Sequence, residues 1–144
     1  MSQPTILILN GPNLNLLGKR EPTVYGTLSF EDYFKELQNK FPTVNLIYQQ
    51  TNVEGELINF IHQYGFEVKG IVFNPGAYTH TSVALRDAIQ AIPSPVVEVH
   101  ISQVHAREEF RHVSHIGAVS KGTITGLGLH GYAYAIDYLL NLGS

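Results

Sequence analysis

The 144-residue sequence contains no cysteine, few charged residues (15%) and no hydrophobic run long enough to span a membrane. The absence of cysteine excludes disulfides and thiolate metal ligands and is typical of proteins from a reducing compartment. A formal net charge of -3 provides no basic surface of the kind that nucleic-acid-binding proteins use. The first apolar run is short and has no positively charged leader, unlike a signal peptide. We therefore expect a cytoplasmic, globular protein that binds neither nucleic acid nor a membrane.

Strand-like and helix-like patterns alternate along the chain. Strands are predicted at 5–11, 44–50, 69–76, 94–102 and 122–128, and helices at 28–41, 54–64, 79–92 and 130–142. In the first helix we expect Ser29 to be the N-cap, with Asp32 as its return partner. This order predicts an α/β, flavodoxin-like fold. We expect a single domain over residues 1–144 that forms an open five-stranded parallel sheet with helices on both faces.

In such a sheet, ligands bind beyond the carboxyl ends of the strands, where the strand order reverses. Polar side chains are concentrated after the first and third predicted strands: Asn10, Asn13 and Asn15, then Asn74, Thr79, His80, Thr81 and Ser82. We expect Thr79, His80 and Thr81 to compete as caps of the following helix, and for the hydroxyl residues alone we favour capping as the explanation. The free N–H groups at that helix start could bind an anion, and so could the backbone amides of Ile101 and Ser102.

Glu98 and His100 lie two residues apart in the fourth predicted strand, so both side chains leave the same face of the sheet. A carboxylate beside an imidazole fixes its tautomer, as general acids and bases often require. The alternative is a structural hydrogen bond at the sheet edge. If strands three and four are neighbours, His80 comes close to His100, and we expect it to contact the ligand.

The segment 103–115 is very polar and partly helical in pattern. Arg107 and Arg111 are four residues apart and would share a helix face, which by itself predicts a solvated, ion-paired surface. His112 and His115 suggest a metal site, but no partner at ligand spacing supports one.

The stretch "GLGLHG" at 126–131 matches a dinucleotide-binding pattern. Too few residues follow it to supply the acidic residue and strands of a dinucleotide half-domain. We therefore attribute its glycines to close packing and a helix start.

Several long blocks carry a family resemblance. "LNGPNLNLLGKREPTVYG", "QTNVEGELI", "NPGAYTHTSVALRDAI", "VEVHISQVHAREEFRHVSHI" and "GLGLHGY" resemble the type II 3-dehydroquinate dehydratases, from about residue 8 to residue 132. The resemblance implies a flavodoxin-like fold and a homododecamer built as a tetramer of trimers. It also implies the dehydration of 3-dehydroquinate to 3-dehydroshikimate, in the shikimate pathway or in quinate breakdown, with no metal and no cofactor.

The resemblance also implies catalytic roles. Tyr25, on a flexible loop, would remove a proton next to the ketone to give an enolate, with Arg20 as its loop partner. His100 would protonate the departing hydroxyl, and Glu98 would orient it. Asn13 would hold a water against the enolate oxygen.

The remaining residues carried over by the resemblance contact the substrate or close the site. They are Asn74 with the Ile101 and Ser102 amides for the carboxylate, His80 and Arg111 for the ring hydroxyls, Arg107 closing over the site, and Asp87 reaching in from a neighbouring subunit. Val53 stands where the family often has a polar residue, a difference that concerns subunit contacts more than chemistry.

Electrostatics permit Tyr25 to act as a base. A phenol titrates near 10, so ionising it at neutral pH takes about 4 kcal/mol. One guanidinium at about 4 Å supplies roughly this amount at an effective dielectric constant of about 20. Arg20 and Arg107 are therefore sufficient partners if the loop closes as a lid. Two alternatives are a Schiff-base lysine, for which only Lys19 is near, and a non-catalytic flavodoxin-like module that binds a small polar anion.

Overall fold

The computed structural model describes residues 3–19 and 28–143. Within them, five strands form one parallel sheet in the order β2-β1-β3-β4-β5. The strands are β1 (Thr5–Asn10), β2 (Asn45–Gln50), β3 (Gly70–Asn74), β4 (Val96–His100) and β5 (Gly122–Thr125). The α-helices are α1 (Phe30–Lys40), α2 (Glu54–Tyr64), α3 (Val83–Gln90) and α4 (His130–Asn141). The predicted flavodoxin-like fold is confirmed, and the strand order is the flavodoxin order.

Helices cover both faces of the sheet, because residues of β1 alternate between two cores. Ile6 and Ile8 pack with α1 and α4, whereas Leu7 and Leu9 pack with α2 and α3. This double coverage explains why β1 reads as an unbroken apolar run instead of an alternating one. None of the helices in the described residues is long and apolar enough to cross a membrane.

The start of α1 follows the predicted cap. Ser29 is the N-cap, and its hydroxyl oxygen accepts a hydrogen bond from the backbone N–H of Asp32 at 3.2 Å. Phe30, Tyr33 and Leu37 are buried at helical spacing. The helical period of the sequence therefore identified the face that α1 packs against the sheet.

The third helix differs from the prediction. Residues Gly76–His80 form a 3-10 helix, and α3 begins only at Val83. Its cap is Ser82, whose hydroxyl accepts from the backbone N–H of Leu85 at 3.0 Å. The expectation that Thr79, His80 or Thr81 caps this helix was therefore wrong. Residues 76–80 are instead a separate turn at the carboxyl end of β3.

The strand order brings the predicted functional segments together. Asn10 at the end of β1 is in register with Asn74 at the end of β3, and Phe73 is in register with Glu98 of β4. Because β4 lies between β3 and β5, the Glu98–His100 pair is inside the sheet and not at its edge. The switch point between β1 and β3 thus lies beside the end of β4.

The glycine-rich stretch at 126–131 joins β5 to α4 by close packing. Gly128 has a φ of 62°, and its N–H donates to the Ile101 carbonyl at 3.0 Å. A Cβ on Gly131 would lie 3.2 Å from Ile124 Cγ2 and 3.3 Å from Val99 Cγ1. The interpretation that these glycines serve packing and a helix start is confirmed.

Candidate active site

A cavity of about 130 Å³ lies beyond the carboxyl ends of β1, β3 and β4. Many residues assigned to the site from the sequence line it: Asn13, Asn74, His80, His100, Ile101, Ser102, Arg107 and Arg111. The described residues that line the cavity include two arginines and two histidines but no carboxylate. A small ligand that carries an anionic group fits this lining.

His100 lines the cavity, and the buried Glu98 carboxylate lies behind it. His100 Nε2 is 2.6 Å from Glu98 Oε2, which confirms that the two side chains share one face of β4. Glu98 is fully buried and His100 is 8% exposed. Because a carboxylate only accepts, Nε2 carries the proton of this hydrogen bond. Nδ1 is the ring nitrogen that remains for a ligand.

Hydroxyl groups surround the other side of the Glu98 carboxylate. The Thr79 hydroxyl donates to Oε2, and the Ser114 and Thr123 hydroxyl oxygens lie 3.0 and 3.3 Å from Oε1. The Ser114 oxygen accepts from the Gly117 N–H at 2.8 Å and lies 2.7 Å from the Thr79 hydroxyl oxygen. The proton of Ser114 faces the Glu98 carboxylate. Thr79 therefore serves the carboxylate, which explains why it does not cap a helix.

These contacts decide the charge of Glu98. Burial alone would raise the pKa of its carboxyl group, but the hydrogen bond and charge of His100, with hydrogen bonds from Thr79 and Ser114, lower the pKa below its usual range. The carboxylate is thus ionised at neutral pH and can hold His100 in one orientation. Ser114 and Thr123 carry no local signal for this role, because Ser114 lies 16 residues from Glu98 and Thr123 comes opposite it only through the β4–β5 register.

His80 has one defined tautomer. Its Nδ1 lies 2.7 Å from the Val113 carbonyl oxygen, which can only accept, so Nδ1 carries the proton and Nε2 is free to accept. Burial lowers the pKa of His80, and this outweighs the opposite effect of the Val113 hydrogen bond. A neutral imidazole that accepts through Nε2 suits a ligand hydroxyl group.

The two arginines of segment 103–115 lie on separate turns. The 3-10 helices span Val104–Ala106 and Glu109–His112, so the prediction that Arg107 and Arg111 share one helix face was wrong. Arg111 pairs with Glu108 through Nε, as the ion-paired interpretation expected, yet it also lines the cavity. Both guanidinium groups therefore contribute positive charge to the same wall.

Asn74 and Asn13 enter the cavity from the ends of β3 and β1. Asn74 is 3% exposed; its Oδ1 accepts from the Gly76 N–H at 3.1 Å and its Nδ2 donates to the Tyr132 hydroxyl at 2.9 Å. Asn13 has a φ of 72°, and its N–H donates to Asn52 Oδ1 at 3.0 Å. Asparagine tolerates this left-handed conformation better than most residues do.

Among the described residues, Asp87 and Val53 do not line the cavity. Tyr25 and Arg20, the predicted base and its partner, fall at positions 20–27, outside the described residues. Asp87 is exposed on α3 and is absent from the cavity wall. Val53 is 55% exposed just before α2.

The metal hypothesis for the histidines of segment 103–115 gains no support. In the part of the chain that the structure describes, no three His, Cys, Asp or Glu side chains come together as a metal site would require. The ring centroids of His105 and His112 are 5.2 Å apart, but no third ligand side chain among the described residues joins them.

Comparison with known proteins gives one consistent result. The family model for dehydroquinase class II matches residues 4–140. A 3-dehydroquinate dehydratase from Exiguobacterium sp. is 56% identical over 94% of this chain and 93% of its own. The crystal structure of type II dehydroquinase from Butyrivibrio crossotus matches with a TM-score of 0.90 and 44% identity, covering 96% of this chain and 99% of that one. The crystal structure of type II dehydroquinase from Propionibacterium acnes matches with a TM-score of 0.89 and 41% identity, covering 96% of this chain and 97% of that one.

Proposed function

Since the chain belongs to the class II dehydroquinases, whose reaction is the dehydration of 3-dehydroquinate to 3-dehydroshikimate, we propose that its cavity performs this reaction through an enolate, with Tyr25 as base and His100 as acid. Membership of this enzyme family decides against the non-catalytic anion-binding module. The single observation that carries the proposed chemistry is His100 at the wall of a cavity lined by two arginines, hydrogen-bonded to the buried Glu98 carboxylate.

In the first step, the Tyr25 phenolate takes the proton next to the ketone, and the electron pair moves onto the ketone oxygen. Arg20 and Arg107 stabilise the phenolate by charge, and the half-buried Arg107 lines the cavity. The Asn13 side chain holds a water against the enolate oxygen. Stabilisation of charge that develops in the transition state is the largest contribution that such a site makes.

In the second step, the ketone re-forms, a carbon–carbon double bond appears and the carbon–oxygen bond of the leaving hydroxyl breaks. His100 gives up its Nδ1 proton, so the hydroxyl leaves as water. Glu98 supports this step because its carboxylate holds Nε2 and stabilises the imidazolium form. A proton passed from Tyr25 to His100 through water restores both groups.

Substrate recognition follows from the lining of the cavity. We assign the substrate carboxylate to Asn74 and the backbone amides of Ile101 and Ser102, and the ring hydroxyls to His80 and Arg111. The free Nε2 of His80 suits a hydroxyl donor, because its other nitrogen donates to Val113. No step requires a metal or a cofactor, so EDTA is expected to leave the rate unchanged.

The proposed assembly is a cytoplasmic homododecamer, a tetramer of trimers in which Asp87 reaches the cavity of a neighbouring subunit. Asp87 is exposed on the same helix as Val83, an apolar side chain that is 55% exposed. Covering such a side chain with a second subunit is favourable. Light scattering after size exclusion measures the assembly, and a trimer or monomer would contradict it.

Ultraviolet absorbance tests the proposed function, because dehydration creates an enone. Purified protein with 3-dehydroquinate should generate the absorbance, and Tyr25→Phe should abolish most of the rate while retaining the fold. Borohydride added with substrate should not inactivate the enzyme. Inactivation would support the Schiff-base route through a lysine, and an inert wild-type protein would contradict the activity itself.

A further inference from the structure

Tyr132 is a buried side chain that the reaction steps do not use, yet its hydroxyl group contacts the site. Resting on the proposed function, we propose that Tyr132 is a positioning residue that holds the Asn74 amide in the orientation that binds the substrate carboxylate. The contacts form a chain from the backbone of Gly76 through Asn74 and Tyr132 to Asn10.

The direction of every hydrogen bond in this chain is fixed at one end. The Gly76 N–H can only donate, so the atom that it contacts at 3.1 Å must be Oδ1 of Asn74. Nδ2 of Asn74 then faces the Tyr132 hydroxyl at 2.9 Å and donates to it. The proton of Tyr132 is left for Asn10 Oδ1 at 2.8 Å. The Gly76 N–H thus fixes the Asn74 amide, and Asn10 Oδ1 gives the Tyr132 proton an acceptor.

Burial keeps this arrangement intact across pH. Tyr132 is fully buried, and burial raises the pKa of its phenol far above the usual value despite hydrogen bonds to Asn74 and Asn10 that act in the opposite direction. The hydroxyl therefore retains its proton and always accepts from Asn74 while donating to Asn10.

The consequence for Asn74 is a single available donor. Its Oδ1 and one Nδ2 proton are occupied, and the second Nδ2 proton is the group that a ligand can use, because Asn74 lines the cavity. Without the Tyr132 hydroxyl, the occupied proton loses its acceptor and the amide is held by Gly76 alone. The proposal predicts weaker binding of the carboxylate rather than slower chemistry.

The same core supplies a matched control. Tyr33 lies in contact with Tyr132, with ring centroids 6.3 Å apart, and both rings pack on Phe30. The Tyr33 hydroxyl donates to the Leu129 carbonyl at 2.7 Å and does not contact Asn74. Tyr33→Phe and Tyr132→Phe therefore each remove one bonded hydroxyl from one aromatic cluster, but only the second reaches the site.

The test is steady-state kinetics on full-length wild type, Tyr132→Phe and Tyr33→Phe. We expect Tyr132→Phe to raise KM about 5- to 10-fold, the usual effect of one neutral hydrogen bond such as that between Asn74 and Tyr132, with kcat within about 3-fold of wild type. Tyr33→Phe should leave both values unchanged. An unchanged KM in Tyr132→Phe, an equal rise in Tyr33→Phe, or a loss confined to kcat would overturn the proposal.

A double substitution tests whether Tyr132 acts through Asn74. KM of Tyr132→Phe combined with Asn74→Ala should equal that of Asn74→Ala alone, and multiplied effects would overturn the proposed route. If Tyr132→Phe does not fold, Asn10→Ala removes the other end of the chain, and an unchanged KM there would overturn the proposal. An inactive wild type would instead reject the proposed function.

Discussion

His100 and Glu98 form a hydrogen-bonded pair inside the sheet, with Nε2 and Oε2 2.6 Å apart and the carboxylate fully buried. The strand period places both side chains on one face, and the hydroxyls of Thr79 and Ser114 complete the coordination of the carboxylate. The pair therefore presents one ring nitrogen of His100 to the cavity in a fixed orientation.

Replacing Glu98 with glutamine keeps the shape of this pair but removes its charge. We expect Glu98→Gln to lower kcat by about 100-fold or more, because an amide cannot stabilise the imidazolium and can favour the wrong tautomer of His100. KM should change much less. Glu67→Gln, which alters an exposed carboxylate before β3, is the control and should behave as wild type. A near-normal kcat in Glu98→Gln would remove the pair from the mechanism.

Ser114→Ala tests the hydroxyls that support Glu98. Loss of one donor to the carboxylate should raise the pKa of Glu98 and reduce kcat about 5- to 10-fold, the effect of a single hydrogen bond. Ser120→Ala is the matched control, since its hydroxyl donates to the Ile116 carbonyl at 2.8 Å in the same segment. Equal rates in the two variants would contradict a role of Ser114 in catalysis.

The charge of Glu98 also predicts how stability depends on pH. Its pKa is lower in the folded protein than the value of about 4.3 for an unfolded chain, so its stabilising contribution is present above that value and lost as pH falls through the folded pKa. Thermal unfolding of wild type and Glu98→Gln at equal protein concentration measures this contribution. The difference between their midpoints should shrink below about pH 4. If the difference between the midpoints grew as pH fell, the pKa of Glu98 would be raised on folding, which would contradict the prediction.

Tyr48 offers a prediction about stability alone. Its hydroxyl is buried and, like Nδ2 of Asn10, makes no hydrogen bond of good geometry among the residues that the structure describes. Burial raises the pKa of Tyr48 to about 12, and the nearby Asn10 side chain offsets this only in part. Removing an unsatisfied hydroxyl avoids a penalty of about 1–3 kcal/mol, so Tyr48→Phe should unfold at the same temperature as wild type or higher. Tyr33→Phe, which loses a bonded hydroxyl, should unfold at a lower temperature. If Tyr48→Phe lowered the unfolding temperature as much as Tyr33→Phe does, the Tyr48 hydroxyl would have to form a hydrogen bond, which would contradict the prediction.

The parts of this site that the sequence predicts are those with a local period. The two-residue period of β4 identified Glu98 and His100, and the turn signals after β1 and β3 identified Asn13 and Asn74. The helix cap was assigned to the wrong hydroxyl, because Thr79 binds Glu98 from 19 residues away and leaves Ser82 to cap α3.

Residues that act through long-range contacts could not be predicted. Tyr132 reaches Asn10 across 122 positions. Ser114 reaches Glu98 across 16 positions, and Thr123 reaches Glu98 through the β4–β5 pairing. Nothing in a local pattern separates Tyr132 from the tyrosines that only fill the core.

The enolate mechanism is tested most directly by deuterium incorporation next to the ketone of 3-dehydroquinate in D₂O, followed by NMR with His100→Ala and Tyr25→Phe. If Tyr25 removes the proton before His100 acts, His100→Ala should incorporate deuterium while forming almost no 3-dehydroshikimate, and Tyr25→Phe should do neither. Dehydration by Tyr25→Phe at a rate near that of wild type would contradict the account.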